Sequence, residues 1–104
     1  MDERRSVPRC PVAVEVRFHW LDGSVETRTV DLSPKGCRIV TADSQKVGQG
    51  GFVILSFDLP GIADPVLVNP AKVRWIGPDS IGVEFLCSKE EDQRRLRAFL
   101  ERLG

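Results

Sequence analysis

An antiparallel, mainly β fold, either a barrel or a sandwich, closed by one C-terminal helix, is what this sequence predicts. Three observations carry that prediction. Apolar residues alternate with period two in six short runs, turn residues punctuate the runs, and after Cys87 the apolar spacing changes to i, i+3, i+4 and i+7. With 104 residues, 41% of them hydrophobic and 29% charged, the chain has material for a single core. A domain of this size buries only about 60–70% of its unfolded surface, which leaves little for a deep catalytic cleft.

The first ten residues carry Arg4, Arg5 and Arg9 beside Pro8, lack periodicity, and are expected to form an extended, flexible arm over 1–10, ahead of one domain over 11–104. Alternation then begins at once. Val12, Val14, Val16, Phe18 and Trp20 share one face of a strand, with Glu15, Arg17 and His19 on the other. Asp22-Gly23 reads as a two-residue hairpin turn of type I′, which needs positive φ at both central positions. The return strand runs from about Ser24 to Asp31 and ends at a turn over Leu32 to Gly36, where Pro34 fixes φ and Gly36 supplies a left-handed or close-approach position.

Cys37, Ile39 and Thr41 alternate with Arg38 and Val40 in a short third strand. Gly48, Gly50 and Gly51 precede a fourth over Phe52 to Leu59, whose Val53, Leu55, Phe57 and Leu59 face the core, and Pro60-Gly61 closes it. Two more strands, about Pro65 to Ile76 and Ser80 to Leu86, flank the turn Gly77-Pro78-Asp79. Ser88 and Glu91 have capping-box spacing at the start of a helix over 89–103. Its apolar stripe of Leu96, Phe99, Leu100 and Leu103 is expected to lie on the sheet, in a monomer or a weak dimer.

Fifteen basic and fifteen acidic residues cancel, and a pI of 6.6 disfavours a grip on nucleic acid by bulk charge. The basic set is nevertheless 11 Arg to 4 Lys, and three of those arginines fall in the first nine residues. The planar guanidinium fork suits bidentate recognition of a phosphate or a purine edge. Cys10, Cys37 and Cys87 are odd in number and lack CxxC spacing, and His19 is the one histidine, so neither a disulfide framework nor a metal site is expected. Reduced thiols, no apolar leader region and no run approaching the ~20 apolar residues of a membrane span predict a cytoplasmic protein without membrane insertion. There is no Walker loop and no GxGxxG, and no base is evident beside any cysteine, so catalysis and a cofactor are not expected.

Two short motifs remain: Arg4-Arg5-Ser6-Val7-Pro8-Arg9 on the arm and Asp31-Leu32-Ser33-Pro34-Lys35-Gly36 after the second strand. Together they resemble the RxxxR and D/NxSxxG signatures of the PilZ domain, a bacterial receptor domain for cyclic di-GMP. Ile81-Gly82-Val83-Glu84-Phe85 resembles the late GVEF-like strand of that family, so the likeness covers nearly the whole chain. It implies a six-stranded antiparallel barrel with a C-terminal helix. It also implies a cyclic di-GMP site made of Arg4, Arg5, Arg9, Asp31, Ser33 and Gly36, with an arginine at the Arg4 position associated with an intercalated dimer of the ligand.

In such a site Arg5 and Arg9 would reach phosphate or the guanine O6/N7 edge, and Asp31 would accept from guanine N1–H and N2–H₂ or orient one of the arginines. Ser33 would add a small donor and acceptor, and Gly36 would let a base approach the backbone. Trp75 has two readings. Strict alternation puts it on the core face with Val73, leaving Arg74 exposed, whereas the resemblance offers it as a platform for a base. The implied role is a bacterial adaptor whose ligand-ordered arm is read by an effector protein, in motility, exopolysaccharide production or biofilm control. Two alternatives stand beside it: a PilZ-like interaction module without useful nucleotide affinity, and a nucleic-acid-binding barrel that stacks bases on Trp20 or Trp75.

Overall fold

The computed structural model describes residues 10–41 and 50–103. Six strands, β1 (Glu15–Trp20), β2 (Gly23–Ser33), β3 (Gly36–Val40), β4 (Phe52–Asp58), β5 (Val66–Ile76) and β6 (Ser80–Phe85), precede helix α1 (Glu90–Leu103). All neighbours are antiparallel, and the sheet closes on itself in the order β1-β2-β3-β6-β5-β4. Of barrel and sandwich, the chain is therefore a barrel. Closure pairs every strand on both sides and removes the exposed edges of an open sheet.

The inward positions are those that alternation marks. Val16 and Phe18 of β1, Val53, Leu55 and Phe57 of β4, and Val66, Val68 and Val73 of β5 are all buried, and Ile39, Ile81 and Leu32 meet them from the other strands. Each such side chain contributes about 1.5–3 kcal/mol by leaving water. Helix α1 adds Leu96, Phe99 and Leu100 to this core. Its position is fixed by Arg95, whose guanidinium pairs with the buried Asp92 and donates to the carbonyls of Asp64 at 2.7 Å and Pro65 at 3.0 Å, just before β5. No helix among the described residues is long and apolar enough to cross a membrane.

Several local expectations are corrected. The first strand begins at Glu15 rather than Val12, because the Thr29 hydroxyl stands in for the ladder there, donating to the Val12 carbonyl at 2.6 Å and accepting from Val14 N–H at 3.0 Å. The first hairpin pairs Trp20 with Gly23 across Leu21-Asp22, and none of these residues has positive φ, so the turn is not type I′. Gly23 serves a steric need instead: a Cβ there would stand 3.0 Å from Cζ2 of Trp20. At Pro60-Gly61 the left-handed residue is real. Gly61 has φ 81°, and Ile62 N–H donates to the Leu59 carbonyl, as in a type II turn.

The helix starts one residue later than the capping-box spacing indicates, with Gln93 N–H donating to Lys89 O and the Gln93 side chain to Ser88 O, so Lys89 occupies the cap position. Leu103, expected on the buried stripe, is exposed in the last turn. The largest correction concerns strand faces. Ladder β2–β3 advances from the pair Thr29↔Ile39 to Asp31↔Arg38, and ladder β5–β6 from Val73↔Val83 to Trp75↔Gly82. Val30 and Arg74 are thus extra residues in β-bulges, and each bulge turns the residue that follows it to the outer face.

Candidate ligand-binding site

The turn between β2 and β3 is built by Ser33. Its hydroxyl accepts from Lys35 N–H at 3.2 Å and Gly36 N–H at 3.1 Å and donates to Gly36 O at 3.1 Å. A hydroxyl has one proton and two acceptor lone pairs, so this residue is fully used inside the turn. Gly36 is needed for close approach and not for a left-handed backbone: a Cβ there would sit 2.5 Å from the Val83 carbonyl of β6. Phe85 N–H donates to Lys35 O at 2.8 Å and fixes the turn to the end of β6. A groove of about 320 Å³ opens beside it, walled by Pro34, Lys35 and Glu84 on one side and Gln93 and Arg97 of α1 on the other.

From this turn a single row of outward positions crosses four strands. Asp31 of β2 pairs with Arg38 of β3, Arg38 with Gly82 of β6, and Gly82 with Trp75 of β5. Both ends of the row owe their outward direction to the two bulges. The Arg38 Nε lies 3.6 Å from Asp31 Oδ2, an ion pair too long for a hydrogen bond. Trp75 is 41% exposed, and its indole lies across Gly82, where a Cβ would stand 2.1 Å from Nε1, with Cζ3 against Gly77. Glycine at 82 is thus the seat of the ring. Beside it Arg74, the bulge residue, forms a cross-strand ion pair with Glu84.

The arm joins the barrel at the same place. Cys10 and Leu32 exchange two backbone hydrogen bonds, Cys10 N–H to Leu32 O at 2.9 Å and Leu32 N–H to Cys10 O at 3.0 Å. Leu32 stands between Asp31 and Ser33, so the residue that follows Arg9 is bonded into the motif turn itself. A family model for the PilZ domain matches residues 3–102. The chain belongs to the PilZ domain family.

Solved structures agree on the PilZ fold. The chain superposes on MotI/DgrA, the inhibitor of motility of Bacillus subtilis, with a TM-score of 0.82 at 22% identity over 98% of this chain and 52% of that one. The PilZ domain of CeSA from a cellulose-synthesizing bacterium gives a TM-score of 0.72 at 20% identity, covering 91% and 96% of the two chains. The K. pneumonia MrkH–c-di-GMP complex gives 0.75 at 18%, covering 99% and 53%. The chain therefore spans about half the length of MotI and of MrkH. No curated protein sequence matches it significantly.

Of the residues singled out from sequence, Asp31 and Trp75 share the outer row, while Ser33 and Gly36 form the turn that holds it. Arg4, Arg5 and Arg9 lie outside the described residues. Arg38 was readable only as a wet-face residue of β3, and the dependence of the ring on Gly82 has no sequence signal at all. Trp20 is half-buried, packed on Phe18 with ring centroids 5.4 Å apart. It stands on β1, which does not adjoin β5, so the two tryptophans sit on separate walls. Among the described residues no three metal-ligating side chains cluster.

Proposed function

We propose that this PilZ domain is a receptor for cyclic di-GMP, acting as an adaptor rather than an enzyme. The observation that carries the reading is the outward row Asp31–Arg38–Gly82–Trp75, with the arm bonded into the turn at one end of it. The ligand presents two phosphates and two guanines. Asp31 accepts from a guanine N1–H and N2–H₂, the free side of the Trp75 indole stacks a base, a contact worth about 1–3 kcal/mol, and Arg5 and Arg9 take phosphate oxygens or a guanine O6/N7 edge. Ser33 and Gly36 act by holding the turn in shape. Arg4 offsets the repulsion of four phosphates when two stacked ligand molecules occupy the site.

Capturing an arm of some ten residues costs on the order of 1–2 kcal/mol per residue ordered, so binding and ordering are coupled, and the reshaped face is what an effector protein reads. That MrkH is solved with c-di-GMP and that MotI inhibits motility support a signalling role of this kind. Isothermal titration with cyclic di-GMP tests the reading. Saturable binding is expected in the low micromolar range or tighter, at two ligands per chain, with Arg5→Ala and Asp31→Ala each weakening it by about tenfold or more. Absence of heat at tens of micromolar ligand defeats the receptor reading, and one ligand per chain defeats the role given to Arg4.

A further inference from the structure

We propose that the groove between the motif turn and α1 docks an acidic segment of a partner protein, held by Lys35 and Arg97. The inference rests on the adaptor part of the reading above, and it gives the effector a chemistry and a place on the barrel. It uses none of the row residues Asp31, Arg38, Gly82 and Trp75. The groove, of about 320 Å³, lies where β6 ends at Phe85 and Leu86 and Cys87 lead on toward α1.

Its electrostatics are unbalanced. Lys35, Glu84, Asp92 and Arg97 are the charged residues of the lining. Both carboxylates already have a cation from outside the groove, Glu84 from Arg74 and the buried Asp92 from Arg95. Lys35 and Arg97 are exposed, and neither forms an ion pair among the described residues. Two cations thus share one cavity in a chain whose net charge is zero. A carboxylate entering it meets an attraction that nothing in the lining cancels.

Both cations stand on rigid supports. Lys35 N–H donates to the Ser33 hydroxyl at 3.2 Å and its carbonyl accepts from Phe85 N–H at 2.8 Å, while Arg97 follows the buried Leu96 on a helix pinned by Arg95. A pair already in place costs less to bind than one that must be ordered. Beside them Leu86 is 45% exposed, and the Gln93 amide, whose Nε2 donates to Ser88 O, keeps its oxygen for an incoming N–H. A short peptide with a carboxylate next to a large apolar side chain matches all three features. Its charge meets Lys35 and Arg97, its apolar side chain covers Leu86, and its backbone reaches Gln93. Nucleic acid fits poorly, because its binding grows with the number of phosphates neutralised and two cations neutralise few.

Selection of random dodecapeptides displayed on phage against the full chain, followed by fluorescence anisotropy of the enriched peptides, tests this. The expected result is enrichment of Asp or Glu beside Leu or another large apolar residue, with affinity that falls as salt is raised. Arg97→Gln is expected to weaken binding, and the double variant Lys35→Glu with Arg97→Glu to weaken it about tenfold or more, each first checked for an unchanged urea midpoint. Calorimetry of Arg97→Glu with cyclic di-GMP is expected to stay within twofold of the wild type. Selection without acidic enrichment, or enriched peptides that bind the double variant within twofold of the wild type, overturns the docking site. If cyclic di-GMP still binds in that case, the receptor reading stands alone; if acidic peptides bind and cyclic di-GMP does not, the groove stands and the receptor reading falls. Self-association of the wild type that Arg97→Glu abolishes would give the groove to a second copy of this chain and overturn the partner.

Discussion

The ladders that β1 makes with β2 and β4 run without interruption, and their residues alternate between core and solvent as a two-residue period demands. The ladders β2–β3 and β5–β6 each skip one residue, at Val30 and at Arg74. The regular wall carries core side chains and exposed pairs such as Arg17–Glu26, which as a surface ion pair adds little stability. The bulged wall carries Asp31 and Trp75, side chains that strict alternation would send inward. A one-residue insertion thus converts a core position into a surface one without altering the rest of the strand, and here both insertions feed the same row.

Substitutions on the two walls should separate packing from site-building. The largest effect is expected on the regular wall. Phe18 is fully buried, so Phe18→Ala should cost about 3–5 kcal/mol in urea unfolding, through lost transfer energy plus the cavity left behind. A cost as small as that of a surface change would mean that the core is not anchored there. On the bulged wall, Gly36→Ala forces a methyl to within 2.5 Å of the Val83 carbonyl, and the backbones of β3 and β6 must part. About 2–3 kcal/mol is expected from such overpacking, seen as a drop in Tm of some 10 °C or more.

Ser33→Ala removes the acceptor for two turn N–H groups, one of them buried, and should lower stability by about 1–2 kcal/mol in the same assay. If ligand affinity fell while stability held, Ser33 would be a direct contact instead of a turn former. The smallest stability effect belongs to Gly82→Ala, about 1 kcal/mol or less, because the atom it strikes is a two-fifths-exposed side chain that can swing away. Its signature is spectroscopic: a red-shifted indole emission as Trp75 leaves its seat, with weaker cyclic di-GMP binding. An unchanged spectrum would show that the ring does not depend on glycine at that position.

The regular wall was legible in the sequence and the bulged wall was not, for one physical reason. Alternation identifies a strand face only while pairing is one to one. Glu15 to Trp20 satisfies that condition on both sides, so its buried residues follow from alternation; β4 satisfies it toward β1, while its ladder with β5 shifts between Val53 and Leu55 at the expense of β5, leaving the alternation of β4 itself intact. Val30 and Arg74 are ordinary strand formers, and nothing in their chemistry announces that they are the extra residues of bulges, so strict alternation puts Trp75 on the face of Val73. The motif turn was visible because Asp, Ser and Gly at that spacing have few uses. What Ser33 and Gly36 do there, saturating a turn and admitting a neighbouring carbonyl, appears only once β6 lies beside them. Gly82 is visible in the sequence as part of the GVEF-like strand, but that it seats the Trp75 ring appears only once β5 lies beside β6.

The two hydrogen bonds between Cys10 and Leu32 have a consequence for how tightly a small ligand can be held. They fasten the start of the barrel a single residue from Asp31, so an arginine arriving from the preceding segment does so on a very short tether. For short flexible tethers the effective concentration is of millimolar order. A ligand that touches both the arm and the row therefore gains its second set of contacts without a second encounter, and modest individual contacts multiply into one affinity. On the proposed reading, pairing Cys10 with Leu32 would make this neutral 104-residue chain bivalent toward a single molecule.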